Sequence, residues 1–123
     1  MTIDPNGGLY LGTTAGGGSD FTAGCDLGGA GAKNAPDRIL RLDLPAKTRV
    51  VLDTQGSSFN TILNMRTGQT CPGSEVSRGC SVGFDAPRSF LDLTLAAGTY
   101  WIQIDGYDGQ SGVWVLDIFT TPL

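Results

Sequence analysis

The chain has 123 residues, 40% of them hydrophobic and 16% charged, and its 12 acidic against 8 basic residues give a formal net charge of −4. One core fits that length and two domains do not, so 1–123 reads as a single domain; the acidic excess has the wrong sign for a phosphate backbone and excludes nucleic acid as a partner. The absence of histidine removes Ser-His-Asp, Cys-His and His-ligated zinc chemistry, and the 19 glycines, lacking a three-residue period, belong to loops and turns.

The N-terminal MTIDPNGG has neither the basic nor the apolar stretch of a signal peptide. No run approaches the roughly 18 apolar residues of a membrane span. MTIDPNGGLYLG reads as an extended arm over 1–12 that could lie in a neighbour's sheet, leading into a weak strand near Leu9 to Thr13. From Thr13 to Pro36 the sequence TTAGGGSDFTAGCDLGGAGAKNAP loses all periodicity. Its length suits a functional loop or, more simply, a glycine-rich connection lying flat across a sheet edge.

Beyond it the apolar pattern has period two, the signature of half-buried strands. Leu40, Leu42 and Leu44 share one face in Arg38 to Leu44, and Val50 and Leu52 share one in Arg49 to Asp53. In Ser58 to Arg66, the residues Phe59, Thr61, Leu63 and Met65 oppose Asn60, Ile62, Asn64 and Arg66. A weaker strand is expected near Gly79 to Gly83, and a clean alternation follows in Ser89, Leu91, Leu93 and Leu95. The last two strands are Thr99 to Asp105, with Tyr100, Ile102 and Ile104 inward, and Val113 to Phe119, with Trp114, Leu116 and Ile118 inward. Between them GYDGQSG reads as a hairpin loop.

About eight strands without a helix argue for an all-β antiparallel sandwich or barrel. The expected core includes Leu40, Leu42, Leu63, Leu91, Leu93, Tyr100, Ile102, Trp114 and Leu116. Alternation puts Trp101 and Gln103 on the outward face, with Tyr107 in the next loop, a set suited to a sugar or an extended peptide unless the glycine-rich segment covers it. Asp105 and Asp108, three apart in a glycine-rich turn, are a loose candidate for a cation loop or, more simply, turn caps. Asp53-Thr54-Gln55-Gly56 only loosely matches the Asp-Thr-Gly of aspartic peptidases and has no second copy to complete a dyad, so no catalytic activity is expected.

The order APDRILRLDLPAKTRVVLDTQGSSFNTILNMR, then a cysteine-bracketed loop, then SFLDLTLAAGTYWIQIDGYDGQSGVWVLDI resembles the bacterial pre-peptidase C-terminal domain, in its myxobacterial-type secreted versions. Leu95 to Gly112 carries the most specific part of the match, and GSSFNTILNMR is similar to a second family run. The resemblance implies a jelly-roll-like β-sandwich. It also implies a noncatalytic module attached to secreted peptidases and other exported proteins, serving substrate or surface binding or secretion, with collagenase relatives binding calcium and collagen. It further points to Asn60 and Asp85 as candidate calcium ligands. Family members have an aspartate at the position of Asn60 and paired aspartates where this chain has Gly83-Phe84-Asp85. Losing that charge weakens a site needing six to eight oxygens, so calcium, if bound, is expected to bind weakly and no other cofactor is expected.

In an exported protein Cys71 and Cys80, bracketing TCPGSEVSRGC, are expected to be bridged, leaving Cys25 as a free thiol or an intermolecular link. The sequence therefore reads as a secreted or cell-surface binding module without its own export signal, engaging an extracellular protein or polysaccharide surface. The alternative is a structural or adhesive subunit that self-associates by edge-strand pairing of the N-terminal segment.

Overall fold

A computed structural model of the chain describes residues 1–16, 38–82, 88–107 and 110–123. Among them run nine strands and no α-helix: β1 (Thr2–Ile3), β2 (Gly8–Thr13), β3 (Arg38–Leu44), β4 (Thr48–Asp53), β5 (Thr61–Thr67), β6 (Ser74–Val82), β7 (Phe90–Leu95), β8 (Gly98–Gly106) and β9 (Val113–Pro122). They form a five-stranded sheet in the order β1-β3-β8-β5-β6 and a four-stranded sheet in the order β2-β9-β4-β7. Pairing is antiparallel throughout except for β1, which runs parallel to β3.

The two sheets are held face to face by the period-two pattern. Leu40, Leu42, Leu63, Met65, Tyr100, Ile102 and Ile104 from one sheet and Val50, Leu52, Leu91, Leu93, Trp114, Leu116 and Ile118 from the other are buried in one cluster. All nine residues expected in the core belong to it. The pattern fails in one place. Ile62 and Asn64 on β5, and Gln103 and Asp105 on β8, point away from the core yet have 0% exposure. Both faces of the five-stranded sheet are therefore withdrawn from water at that end.

Three expectations are corrected by the topology. The 1–12 segment is not a free arm: Ile3 is buried beside Leu42, Arg41 N donates to Met1 O at 2.8 Å, and β2 pairs with β9 of the same chain. GYDGQSG does not close a hairpin, because β8 lies in the five-stranded sheet and β9 in the four-stranded one. Among the described strands only β5 and β6 are consecutive neighbours; each other step crosses between the sheets. The course of Thr13 to Pro36, apart from 13–16, lies outside the described residues.

The third correction concerns the cysteines. Cys71 is a free, exposed thiol. Cys80 is disulfide-bonded, and Cys25, the remaining cysteine of the sequence, lies outside the described residues. The hairpin explains why the expected Cys71 to Cys80 bridge does not form. Cys71 sits in the turn beyond the Thr67 to Ser74 pair, whereas Cys80 faces Asn64 three residues further along β5. That is about 10 Å of strand, beyond the roughly 7 Å at which two Cα atoms can be bridged. Alkylation of the folded, unreduced protein should accordingly label Cys71 and spare Cys80, as read by mass spectrometry of the digest; a protected Cys71 would contradict the hairpin geometry.

A buried hydroxyl cluster pins the sheets together where β4 hands the chain to β5. Thr54 and Thr61 have 0% exposure and Ser89 1%. Thr54 Oγ1 and Thr61 Oγ1 lie 2.7 Å apart, Ser89 N donates to Thr54 Oγ1 at 2.7 Å, and Ser89 Oγ donates to Thr61 O at 2.7 Å. Asp53 accepts from Arg88 and caps the turn at Gln55 N, so the Asp-Thr-Gln-Gly stretch is a structural corner.

Candidate functional site

The outward face of the five-stranded sheet carries the residues with the most recognition chemistry. Antiparallel register places Trp101 on β8 between Arg41 on β3 and Arg66 on β5 in one cross-strand row. Cross-strand neighbours on one face stand close enough for their side chains to interact. Trp101 is half-buried, its Nε1 donates to Gly68 O at 2.9 Å, and the Arg41 guanidinium lies 5.5 Å from the ring centroid. Such a cation over an indole face is attracted by the ring quadrupole.

Each neighbour of the indole is itself fixed. Arg41 Nε donates to both oxygens of Asp43, at 3.2 and 3.0 Å, and Thr99 Oγ1 donates to Asp43 Oδ1 at 2.8 Å. The Thr99 hydroxyl, reinforced by Arg41, holds the Asp43 carboxyl below the usual aspartate range. On the other side Arg66 donates to Asn64 Oδ1 at 3.0 Å, Pro72 O at 3.1 Å and Gly73 O at 3.2 Å. Buried Asn64 completes the lattice by donating to Glu75 Oε1 at 2.6 Å and Gly79 O at 2.8 Å. Asn64 thereby staples β5 to a bulge in β6, where Met65 faces Val76–Gly79 and Arg78 adopts a left-handed φ of 62°. The result is a rigid polar surface around a single indole.

This is not the platform expected from Trp101, Gln103 and Tyr107. Gln103 has 0% exposure, with its Nε2 3.4 Å from Asp105 Oδ2, and cannot meet a ligand at the surface. Tyr107 is 39% exposed but lies six positions from Trp101, about 20 Å along an extended strand. Its N–H donates to Asn60 O at 2.8 Å, closing the end of the sheet. Arg41, Arg66 and Asn64 were not marked by the sequence as site residues. Nothing in it specifies that β3 and β5 flank β8.

Of the four expected cation ligands, Asp85 and Asp108 lie outside the described residues. Asp105 is buried and accepts from Gly106 N at 2.8 Å, while Asn60 carries a buried Oδ1 that has no hydrogen-bond partner. Pairing of Ile62 with Asp105 and of Thr61 with Gly106 sets Asn60 and Asp105 at the same end of the sheet. Among the described residues no three of His, Cys, Asp or Glu are grouped to hold a metal.

No protein-family model matches the sequence, and no curated protein does. Among solved structures, the pre-peptidase C-terminal domain of a collagenase from Bacillus anthracis matches 96% of this chain over 90% of its own, with a TM-score of 0.59 and 8% identity. The fold is that of a pre-peptidase C-terminal domain. A periplasmic lysozyme inhibitor of g-type lysozyme from Aeromonas hydrophila is similar over 98% of this chain and 94% of its own, with a TM-score of 0.60 and 16% identity. At these identities the likeness is one of fold. The fold of this chain is thus similar both to a collagenase domain and to a protein named as an enzyme inhibitor, and what the present chain does depends on its own surfaces.

Proposed function

We propose that the chain is a noncatalytic binding module of an exported protein, periplasmic or extracellular, that engages a protein surface through the Arg41, Trp101 and Arg66 row. The observation that carries this reading is the fixed indole between two arginines on one sheet face. Tryptophan and arginine are the residue types most enriched at binding hot spots, and their immobility before contact lowers the entropy lost on association. A polysaccharide fits less well, since Arg41 covers part of the ring and the indole N–H is committed to Gly68 O. One structural neighbour is an inhibitor of a lysozyme, which supports a protein as the partner class. The lack of histidine supports a role without acid/base catalysis.

Interferometry against immobilised g-type lysozyme and, separately, collagen tests the proposal, with serum albumin and chitin oligosaccharide as controls. Saturable binding to a protein is expected, weakened at least about tenfold by Trp101→Ala with the fold retained by circular dichroism. Binding that Trp101→Ala leaves unchanged would rule out this face.

Calcium is proposed to play at most a minor part. With dissociation constants of roughly 10⁻⁴ to 10⁻³ M, as in extracellular modules, 1 mM calcium adds no more than about 1.5 kcal/mol. Thermal melts in 1 mM calcium and in chelator should nearly coincide. A shift of about ten degrees or more would reveal a tight site, with Asp105→Ala the first variant to examine.

A further inference from the structure

Four strands form the edges of the two sheets, and three of them are guarded. β1 has only two residues, too short to template another chain. β6 is interrupted by the Val76–Gly79 bulge and carries Glu75 and Arg78. β7 carries Asp92, which is bound to Arg49 at 2.7 Å, and its first residue donates from Phe90 N to Ser81 Oγ on β6. The fourth edge is β2, Gly8–Thr13, whose sequence GLYLGT has no charge and no proline and whose one partner among the described strands is β9. Among the described residues none of the usual protections of an edge is present on it.

The large exposed side chains on the outward side of this edge are apolar, beside the carboxylate of Asp117, which stands across from Leu9 on β9. Leu9 and Leu11 are 60% and 61% exposed, and Val113 and Phe119 on the adjoining β9 are 51% and 62% exposed. Apolar side chains grouped on one face at an open edge mark an association site. The sequence of the strand says with what. Gly8-Leu9-Tyr10-Leu11-Gly12 reads the same in both directions. An antiparallel copy placed on a two-fold axis through Tyr10 therefore sets Leu9 opposite Leu11 of the copy and Gly8 opposite Gly12. Four leucines meet on the outward face, the glycines bring no side chain to obstruct the approach, and no like charges are opposed despite the net charge of −4. Tyr10 points inward, where it packs on the core and its hydroxyl accepts from Asp4 N at 2.8 Å.

We propose that a second copy of this chain pairs with β2, joining the two four-stranded sheets into one eight-stranded sheet across a two-fold axis. Such an interface is isologous and closes as a dimer, without propagating into a filament. It lies on the sheet opposite to the Arg41, Trp101 and Arg66 row and leaves that face open in both copies.

Sedimentation velocity of the full chain from about 5 to 500 µM tests this, a range spanning the affinities of small transient interfaces. The expected result is a monomer to dimer transition that the double variant Leu9→Lys with Leu11→Lys weakens at least tenfold, with circular dichroism unchanged since both positions are exposed. Phe119→Lys, on the same face but away from the edge, is expected to have less effect. A chain that stays monomeric throughout overturns the proposal and leaves the edge to an extended segment of a different protein. A dimer indifferent to the lysines, or one lost only with Phe119→Lys, overturns it as well, the latter in favour of face-to-face packing.

Discussion

Trp114→Ala is expected to lower the unfolding free energy by about 3 to 5 kcal/mol, the upper range for core truncations. Trp114 is 2% exposed on β9, in line with Leu116 and Ile118, and pairs across the sheet with Gly12. The indole lies directly on that glycine: a Cβ built at Gly12 would collide with Trp114 Cζ2, and its distance to Cε2 would be 2.7 Å. Removing the ring therefore leaves a void beside backbone, which cannot swing in to fill it. Trp114→Phe should cost much less, because it keeps most of the ring volume and deletes a buried Nε1 that has no hydrogen-bond partner. Urea unfolding of the two variants measures both effects. A loss below about 1 kcal/mol for alanine would mean that the inward face of β9 is not the one described.

The second large effect has a sign that hydrophobicity alone would get wrong. Asn64→Leu inserts an apolar side chain of similar size at a position with 0% exposure, yet it is expected to destabilise by about 2 to 4 kcal/mol. Asn64 accepts from Arg66 and donates to Glu75 and to Gly79 O. Leucine would remove all three bonds and take its donor from the carbonyl of buried Gly79, and an unmatched buried acceptor costs more than a matched one contributes. The damage should extend to the bulge of β6 and, through Arg66, to the Pro72 and Gly73 turn. Hydrogen exchange would register it as lost protection in β6 ahead of β3. An Asn64→Leu protein as stable as the parent would show that the polar lattice around Trp101 is not what orders that face.

These two residues illustrate how differently structure is written into the chain. Trp114 was legible as core because the period-two pattern of β9 is local, and the pleat itself sends alternate side chains to opposite sides. The same logic identified Leu40, Leu42, Leu91 and Leu93. Asn64 was not legible as a buried junction. Its strand alternates like the others, but β5 lies between β8 and β6 at an end where the second face is also closed to water. Gln103 departs from the expected exposure for the same reason: it points outward on β8, and outward does not there mean exposed.

The sequence by itself determined the all-β class, the inward face of most strands and the absence of histidine chemistry, all properties carried by residue type and by the two-residue repeat of an extended backbone. Tertiary structure alone decided which strands are neighbours, and everything that depends on neighbours followed. It parted β8 from β9 where a hairpin was expected, separated Cys71 from Cys80 along the β5–β6 hairpin, and drew Arg41 and Arg66 to either side of Trp101. It also left β2 at an open edge while taking 1–12 into the sandwich. The physical reason is that a strand satisfies only its own pleat locally; its hydrogen-bond partners are supplied by distant parts of the chain, selected by how the sheets together bury the most apolar surface.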